Sequence, residues 1–269
     1  RESVDDIEIT SPVTGNKLKR VNDVFDCWFE SGCMPFAYQH YPFEGEMNFP
    51  ADFIAEGLDQ TRGWFYTLLV VSTAINDMPA FKNVIVNGLV LAEDGKKMSK
   101  RLKNYPDPKE VIDIHGADCL RLYLLGSPAV KSEPLRFKES GVSDITRSVL
   151  IPLYNTFTFY NEHKTRYEKQ NDTKMNLFNF DSDNIFDRWI QYKLDAFRKK
   201  LFNDLDEYKL YNTTKLITGF IENLNNQFIK LNRERLKGKE GKEECEKSLS
   251  TLGKCIYDLS ITLSSLLPY

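Results

Sequence analysis

The strongest constraint on how this chain can fold is a change of apolar rhythm near residue 139. Beyond it, apolar residues recur at helical spacing. Ile190, Leu194, Phe197, Leu201 and Leu205 step by four, three, four and four; Ile217, Phe220, Leu224, Phe228 and Leu231 step by three, four, four and three. Each set lies on one face of an amphipathic helix, and a third helix is expected over about 243–267. Short polar connections at 206–209 and 238–241 predict antiparallel neighbours. The polar stretch 162–184 is expected to be the most mobile part.

Before residue 139 the pattern is mixed. Residues 1–22 are polar and extended, with a turn signal at Thr14-Gly15-Asn16. The apolar and aromatic run 24–29 is ended by Glu30-Ser31-Gly32. Phe53-Ile54-Ala55 reads as a short buried strand, and Asp59 as the N-cap of a helix reaching Ile75. That helix is so apolar from Trp64 to Ala74 that a sheet is its expected neighbour. Asp107-Pro108-Lys109-Glu110 is a helix start, with a capping Asp, a first-turn Pro and a Glu able to reach back. Gly116 separates this helix from a second one, which ends at Leu125 before Gly126-Ser127-Pro128. This order predicts part of a parallel α/β nucleotide-binding sheet, with too few strands for a complete one, followed by an all-α helical bundle. No internal repeat is present.

A length of 269 residues allows two domains, and 18 Phe, 13 Tyr and 3 Trp supply a sizeable core. With 41% hydrophobic and 28% charged residues the composition is that of a soluble globular protein. The net charge of −3 is uneven, acidic over residues 1–150 and mildly basic beyond. Such a balance excludes indiscriminate nucleic-acid binding but leaves room for a shaped RNA contact on the C-terminal part. Cys27, Cys33, Cys119, Cys245 and Cys255 form no CxxC pair, and His40, His115 and His163 are too scattered for a zinc site or a triad. Reduced thiols in a cytoplasmic protein and no protein-bound metal are the expectations. No apolar stretch approaches the roughly 18 residues of a membrane span. The chain opens at Arg1 rather than at a Met, so it is read as a fragment of a longer protein.

The chemistry concentrates where the apolar stretch 84–92 runs through Glu93-Asp94 into Gly95-Lys96-Lys97-Met98-Ser99-Lys100-Arg101. A strand followed by a turn that delivers two lysines three positions apart suits the charge of a leaving phosphate; a solvated basic hairpin tip is the plainer alternative. A Walker-type loop is excluded, because position 90 is Val where that motif needs Gly. Glu56, Asp59 and Gln60 cluster at the end of a strand, where ligands sit in open α/β sheets. Capping by Asp59 and plain exposure of the other two explain them equally. Trp28 and Trp64 read as ordinary core residues, the default for a buried Trp.

Lys97-Met98-Ser99-Lys100 resembles the lysine signature of class I aminoacyl-tRNA synthetases. Asp26-Cys27-Trp28-Phe29-Glu30-Ser31-Gly32 resembles a segment of the members that act on branched aliphatic amino acids. The block Glu56-Gly57-Leu58-Asp59-Gln60-Thr61-Arg62-Gly63-Trp64-Phe65 is similar to the signature of isoleucyl-tRNA synthetases. Asp187-Arg188-Trp189-Ile190 and Asn232-Arg233-Glu234-Arg235-Leu236-Lys237-Gly238 also resemble those synthetases, of the eukaryotic cytosolic kind. The resemblance covers nearly the whole chain.

The resemblance implies a fragment of an enzyme that ligates isoleucine to its tRNA through an isoleucyl-adenylate. Its substrates would be isoleucine, tRNA and ATP, the last with Mg2+. Lys97 and Lys100 would stabilise the charge on the β- and γ-phosphates, with Met98 and Ser99 in the same ATP-binding loop. Glu56 and Gln60 would hold the amino-acid end and Asp59 the ribose, and Gly57 would let the backbone approach. Asn87-Gly88 stands where bacterial relatives carry His-Gly, in the adenylate-binding region, and Arg101 where many relatives carry Ser. Trp28 and Trp64 would wall the isoleucine pocket. Lys230, Arg233, Arg235 and Lys237 are candidates for tRNA contact, against the plain alternative of a wet helix face.

On this reading residues 1–105 are the C-terminal part of the catalytic domain, 106–150 a stem-contact region and 151–269 part of an anticodon-binding bundle. The upstream HIGH-type motif of the missing N-terminal half and the editing domain are expected to lie elsewhere, which would leave the fragment inactive alone. A valyl-tRNA synthetase fragment and a non-catalytic RNA-binding module are the alternatives.

Overall fold

A computed structural model describes residues 7–21, 23–43, 47–99, 101–176 and 182–269, and their packing divides the chain into two units. One comprises Arg1–Ile54 and Asp59–Val84, the other Ala55–Leu58 and Ile85–Tyr269.

In the first unit the predicted turn closes an antiparallel hairpin. Strand β1 (Ile9–Thr10) pairs with β2 (Lys17–Leu18), and Ser11 Oγ accepts from Thr14 N–H at 3.2 Å across the tip. Helix α1 (Cys27–Gly32) begins where Asp26 Oδ1 accepts from Trp28 N–H at 2.8 Å and Phe29 N–H at 3.2 Å. Glu30-Ser31-Gly32 therefore forms the last turn of a helix, and α2 (Met34–Ala37) follows.

Strand β3 (Ala51–Gly57) contains the expected strand 53–55, but only its Ile54 is buried; Phe53 is 51% exposed. A 3-10 turn over Leu58–Arg62 leads to α3 (Trp64–Asn76). Asp59 sits in that turn and is not the N-cap expected. The first helical donor is met by Gln60 instead, whose Oε1 accepts from Trp64 N–H at 3.1 Å. Strand β4 (Phe81–Asn87) lies beside β3. Leu68 of α3 packs with Ile54, Ala80 and Phe49, while α3 also packs on α1. The apolar helix thus rests on a helix as well as on strands, and Leu69, Val70 and Ile75 stay exposed.

In the second unit β5 (Val90–Leu91) pairs in parallel with β6 (Leu135–Arg136). Asp107 Oδ1 accepts from Lys109 N–H at 2.8 Å to start α4 (Pro108–His115). Beyond Gly116, α5 (Ala117–Leu125) stops at Gly126, as its sequence predicts. Helix α6 (Glu139–Ile145) continues through a π-helical turn, Thr146–Leu150, into α7 (Ile151–Asn171). Residues 162–171, expected to be mobile, are the last turns of α7. Their polar sequence conceals His163 and Tyr167, which continue at helical spacing the buried stripe begun at Tyr160. Residues 177–181 of that stretch lie outside the described residues.

Helix α8 (Ile185–Asp206) buries Ile190, Leu194, Phe197 and Leu201, with Leu205 partly covered. The next stripe is carried by α9 (Thr213–Glu222), a π-helical segment Asn223–Ile229 and α10 (Arg233–Leu236). It departs from expectation at its end, because Leu231 is 57% exposed while Asn232 is buried. A π turn takes more residues than an α turn, so the inward face falls at Leu224, Phe228 and Asn232. Helix α11 (Lys242–Leu263) completes one core that runs from Val111 to Leu266.

That core encloses a charged pair. Arg235 Nη1 donates to Asp187 Oδ1 at 3.0 Å and Nη2 to Oδ2 at 2.9 Å, both residues being almost fully buried. Asn232 Oδ1 accepts from Nη1 at 2.7 Å, Glu244 Oε2 from Nε at 2.9 Å, and Ser182 Oγ donates to Asp187 Oδ2 at 2.6 Å. Burial opposes the charge on Arg235, but the hydrogen bonds and charges of Asp187 and Glu244 outweigh it and raise the guanidinium's pKa. Removing one partner strands the other in the core. Arg235→Leu is expected to lower stability by about 3–5 kcal/mol. The double variant Asp187→Leu with Arg235→Met should cost clearly less. Urea unfolding followed by circular dichroism checks both, and a single variant as stable as wild type would remove the pair from this role.

Candidate active site

Sequence places the candidate residues in both units. Trp28, Asp59, Gln60 and Trp64 belong to the first; Glu56, Gly57, Asn87, Gly88, Lys97, Met98 and Ser99 belong to the second. Lys100 lies outside the described residues.

In the first unit, two helix starts bring the tryptophans together with Gln60. Capping by Asp26 fixes the turn that carries Trp28, whose side chain remains 41% exposed. Trp64 opens α3 and donates its indole N–H to Ser31 O at 3.1 Å, which ties α3 to the end of α1. Gly63 lies between them. A Cβ there would stand 2.9 Å from Gln60 Oε1 and 3.2 Å from the Trp28 ring, so only Gly lets the ring lie this close to the backbone. Gln60 Nε2 also reaches Asp59 Oδ2 at 3.4 Å. Trp64 further lines an apolar cavity of about 180 Å3 with Met34, Phe49, Ile54 and Leu68; Trp28 is not part of its wall. The Trp28 ring and the Gln60 carboxamide both lie against Gly63, with the exposed Asp59 carboxylate next to Gln60.

The second unit carries the lysine loop. Leu91 forms an antiparallel bridge with Lys97, and Ala92 N–H donates to Lys96 O at 2.9 Å, so the loop leaves β5 as a short hairpin. Its tip is closed by Asp94, whose Oδ1 accepts from Lys96 N–H at 3.0 Å. That backbone hydrogen bond holds the Asp94 carboxyl below the usual carboxylate range. Lys97 is exposed, and Met98 and Ser99 are half-buried. Asn104, which sequence reasoning passed over, accepts from Ser99 N–H at 2.9 Å and donates to Lys97 O at 3.2 Å. Glu56 is exposed at the end of β3.

Gly88 has a packing reason to be Gly. Its N–H donates to Ala129 O at 2.7 Å, and a Cβ would fall 1.9 Å from Glu133 O.

Among the RNA-contact candidates, Lys230 and Arg233 are exposed and Lys237 is half-buried, its carbonyl accepting from Arg166 Nη2 at 2.8 Å. Arg235 is the exception. At 4% exposure and bonded to Asp187, it is a core residue whose guanidinium has no free face for a phosphate. Among the described residues no cluster of three or more His, Cys, Asp or Glu is placed to hold a metal, and no helix is long and apolar enough to cross a membrane.

Residues 2–136 match the family of tRNA synthetases class I (I, L, M and V), and residues 187–269 match the anticodon-binding domain of tRNA ligases. The chain belongs to the class I aminoacyl-tRNA synthetases. Within that class it is 50% identical, over its full length, to the probable cytoplasmic isoleucine–tRNA ligase of Dictyostelium discoideum, of which it covers 26%. It is 48% identical over its full length to the cytoplasmic isoleucine–tRNA ligase of Mus musculus, covering 22% of it. The chain therefore spans about a quarter of the length of these relatives. Among solved structures, Mycobacterium tuberculosis methionyl-tRNA synthetase in complex with methionyl-adenylate superposes with a TM-score of 0.73 at 18% identity, covering 97% of this chain and 52% of that one. A leucyl-tRNA synthetase from Agrobacterium radiobacter K84 gives 0.64 at 20% identity, covering 99% of this chain and 35% of that one. These likenesses show the fold, a partial Rossmann-type α/β domain followed by a helical bundle.

The Gly63 contact generates a prediction. Gly63→Ala forces the Trp28 ring and the Gln60 carboxamide apart while leaving most of the core of its unit untouched. In a Trp189→Phe background, the tryptophan emission maximum should move to the red with little change in far-ultraviolet circular dichroism. An unchanged emission spectrum would mean that Trp28 does not rest on Gly63.

Proposed function

We propose that the chain is part of an isoleucine–tRNA ligase, acting in the cytoplasm on isoleucine, tRNA and ATP with its Mg2+. The observation that carries this reading is full-length identity of about one half to isoleucine–tRNA ligases. The lysine loop and the block Glu56 to Phe65 support it.

In the first step a carboxylate oxygen of isoleucine attacks the α-phosphorus of ATP. The bond from that phosphorus to the bridging oxygen breaks, and pyrophosphate leaves with the electron pair. Lys97 and Lys100 offset the charge that gathers on the β- and γ-phosphates; catalysis of this kind is mostly positioning and electrostatics. Glu56 and Gln60 receive the ammonium end of the amino acid, and Asp59 the ribose hydroxyls. Gln60 Oε1 already accepts from Trp64 N–H, so its second lone pair is the one left to accept from the ammonium. Gly57, Asn87, Gly88, Met98 and Ser99 line the nucleotide. Trp28 and Trp64 wall the side-chain pocket. In the second step a hydroxyl of the tRNA's terminal ribose attacks the adenylate carbonyl, and AMP leaves.

Flat apolar walls exclude large and polar side chains better than they exclude valine. One missing methylene is worth only about 1–3 kcal/mol, a limit for which isoleucine-specific synthetases are themselves the standard illustration.

Residues 1–105 serve as the C-terminal part of the catalytic domain, 106–150 as a stem-contact region and 151–269 as part of the anticodon-binding bundle. Lys230, Arg233 and Lys237 are the basic candidates on that bundle for the tRNA backbone. The sequence holds no HIGH-type motif, so these 269 residues alone are inactive.

The test is amino-acid-dependent ATP–pyrophosphate exchange on the intact parent protein. Isoleucine should support strong exchange, valine weaker and leucine little. Lys97→Ala should lower the isoleucine rate by about 10²–10³-fold, and the 269-residue chain alone should show none. Preference for valine would reassign the substrate. No exchange with any amino acid would point to a non-catalytic RNA-binding module.

A further inference from the structure

The lysine loop is fastened by a side chain that carries no charge. Upstream of Lys97 the chain is supported by the sheet: Leu91 bridges to Lys97, and the same Leu91 pairs with Arg136 of β6. Downstream no such strand follows among the described residues. A cleft of about 360 Å3, bordered by Ala92, Met98, Asn104 and Phe137, leaves open space beside Met98, so packing does not fix the loop from that side. Hydrogen bonds remain to do so. Asn104 Oδ1 accepts from Ser99 N–H at 2.9 Å while its Nδ2 donates to Lys97 O at 3.2 Å. One carboxamide thus spans Met98 and sets the backbone on both sides of it. Ser99 O in turn accepts from Leu102 N–H at 3.1 Å and Lys103 N–H at 3.0 Å, closing the turn that returns the chain to Asn104. Lys103 takes a left-handed backbone there, with φ at 47°.

We propose that Asn104 is a positioning residue of the lysine loop. By clamping Lys97 O and Ser99 N–H with the two ends of a single carboxamide, it fixes the direction in which Lys97 is presented. The inference rests on the proposed role of Lys97 at the phosphates. The clamp needs a donor and an acceptor on one short side chain. Asp supplies only the acceptor, Ala neither, and Gln is a methylene too long for the same span. Because catalysis by a lysine at a phosphate depends on placement, a loop free to swing lowers the fraction of molecules with Lys97 in position.

The test uses the full-length protein carrying Asn104→Ala or Asn104→Asp, with Lys109→Ala on the outer face of α4 as a control. Two readouts are taken: the rate of tryptic cleavage after Lys97, followed by mass spectrometry, and kcat and KM in ATP–pyrophosphate exchange. Each hydrogen bond is worth roughly a factor of five, so Asn104→Ala should speed cleavage and lower kcat by about tenfold or more. KM for isoleucine should stay unchanged, and so should the melting temperature. Asn104→Asp, which keeps the bond from Ser99 N–H, should fall between wild type and Ala in cleavage rate, and the control should match wild type in kcat. Unchanged cleavage in Asn104→Ala overturns the clamp. Faster cleavage with unchanged kcat, or a rise in KM for isoleucine alone, overturns the positioning role. Absence of exchange in the unsubstituted protein defeats the synthetase reading instead, and the cleavage rates then still decide the clamp.

Discussion

The buried pair between Asp187 and Arg235 is the interaction on which the helical part of the molecule depends. It joins the first turn of α8 to α10, and through Glu244 it reaches the first turn of α11. Taking two charges out of water is expensive, and their mutual attraction only about repays it when geometry is good. The pair is therefore poor evidence for net stability. Its effect is on arrangement: any register of these helices that separates the two residues leaves a bare charge in an apolar interior. Asn232 and Ser182 meet remaining polar positions of the pair, so the network is well satisfied in one arrangement.

Arg235 follows Leu231 by four residues and Phe228 by seven, so helical spacing alone sets it on the inward face. A continuous α-helix would carry the stripe from Phe228 through Leu231 to Arg235; with the π-helical segment over Asn223–Ile229, Leu231 is exposed and Asn232 buried in its place. The wider turn moves the inward face to Asn232, and the following turn then buries Arg235 and Leu236 while Arg233 stays outside. Neighbouring basic residues thus divide into a structural member and surface members. A charge run counted along the sequence cannot make that division.

Polar side chains bonded to backbone recur at the places tied to chemistry. Asp26 starts α1, Gln60 starts α3, Asp94 closes the tip of the lysine hairpin and Asn104 spans its far side. Each supplies what regular structure leaves unmet, a partner for a backbone donor at a helix end or a turn. Close approach does the same at Gly63 and Gly88, where absence of a Cβ allows an aromatic ring or a carbonyl to lie against the chain. Chemistry-bearing residues such as Trp28 and Lys97 therefore owe their positions to neighbours that carry no chemistry themselves.

The sequence by itself determined the class of protein, the change from a mixed α/β pattern to a helical one, and the bounds of α4 and α5. Those features are local: Asp107 with Pro108, the glycines at 116 and 126, and the stepping of Ile190 to Leu201 are visible within a few residues. The lysine loop and the ten-residue block are local too, which is why the family was legible. Tertiary structure decided the rest. It gave the capping of α3 to Gln60 rather than Asp59, left Phe53 and Leu231 exposed, and continued α7 into a polar stretch that buries His163 and Tyr167. It also brought Asp187 to Arg235, two residues from separate motifs that nothing in their spacing connects. Burial and pairing depend on what lies across the interface, and a single sequence records only what lies along the chain.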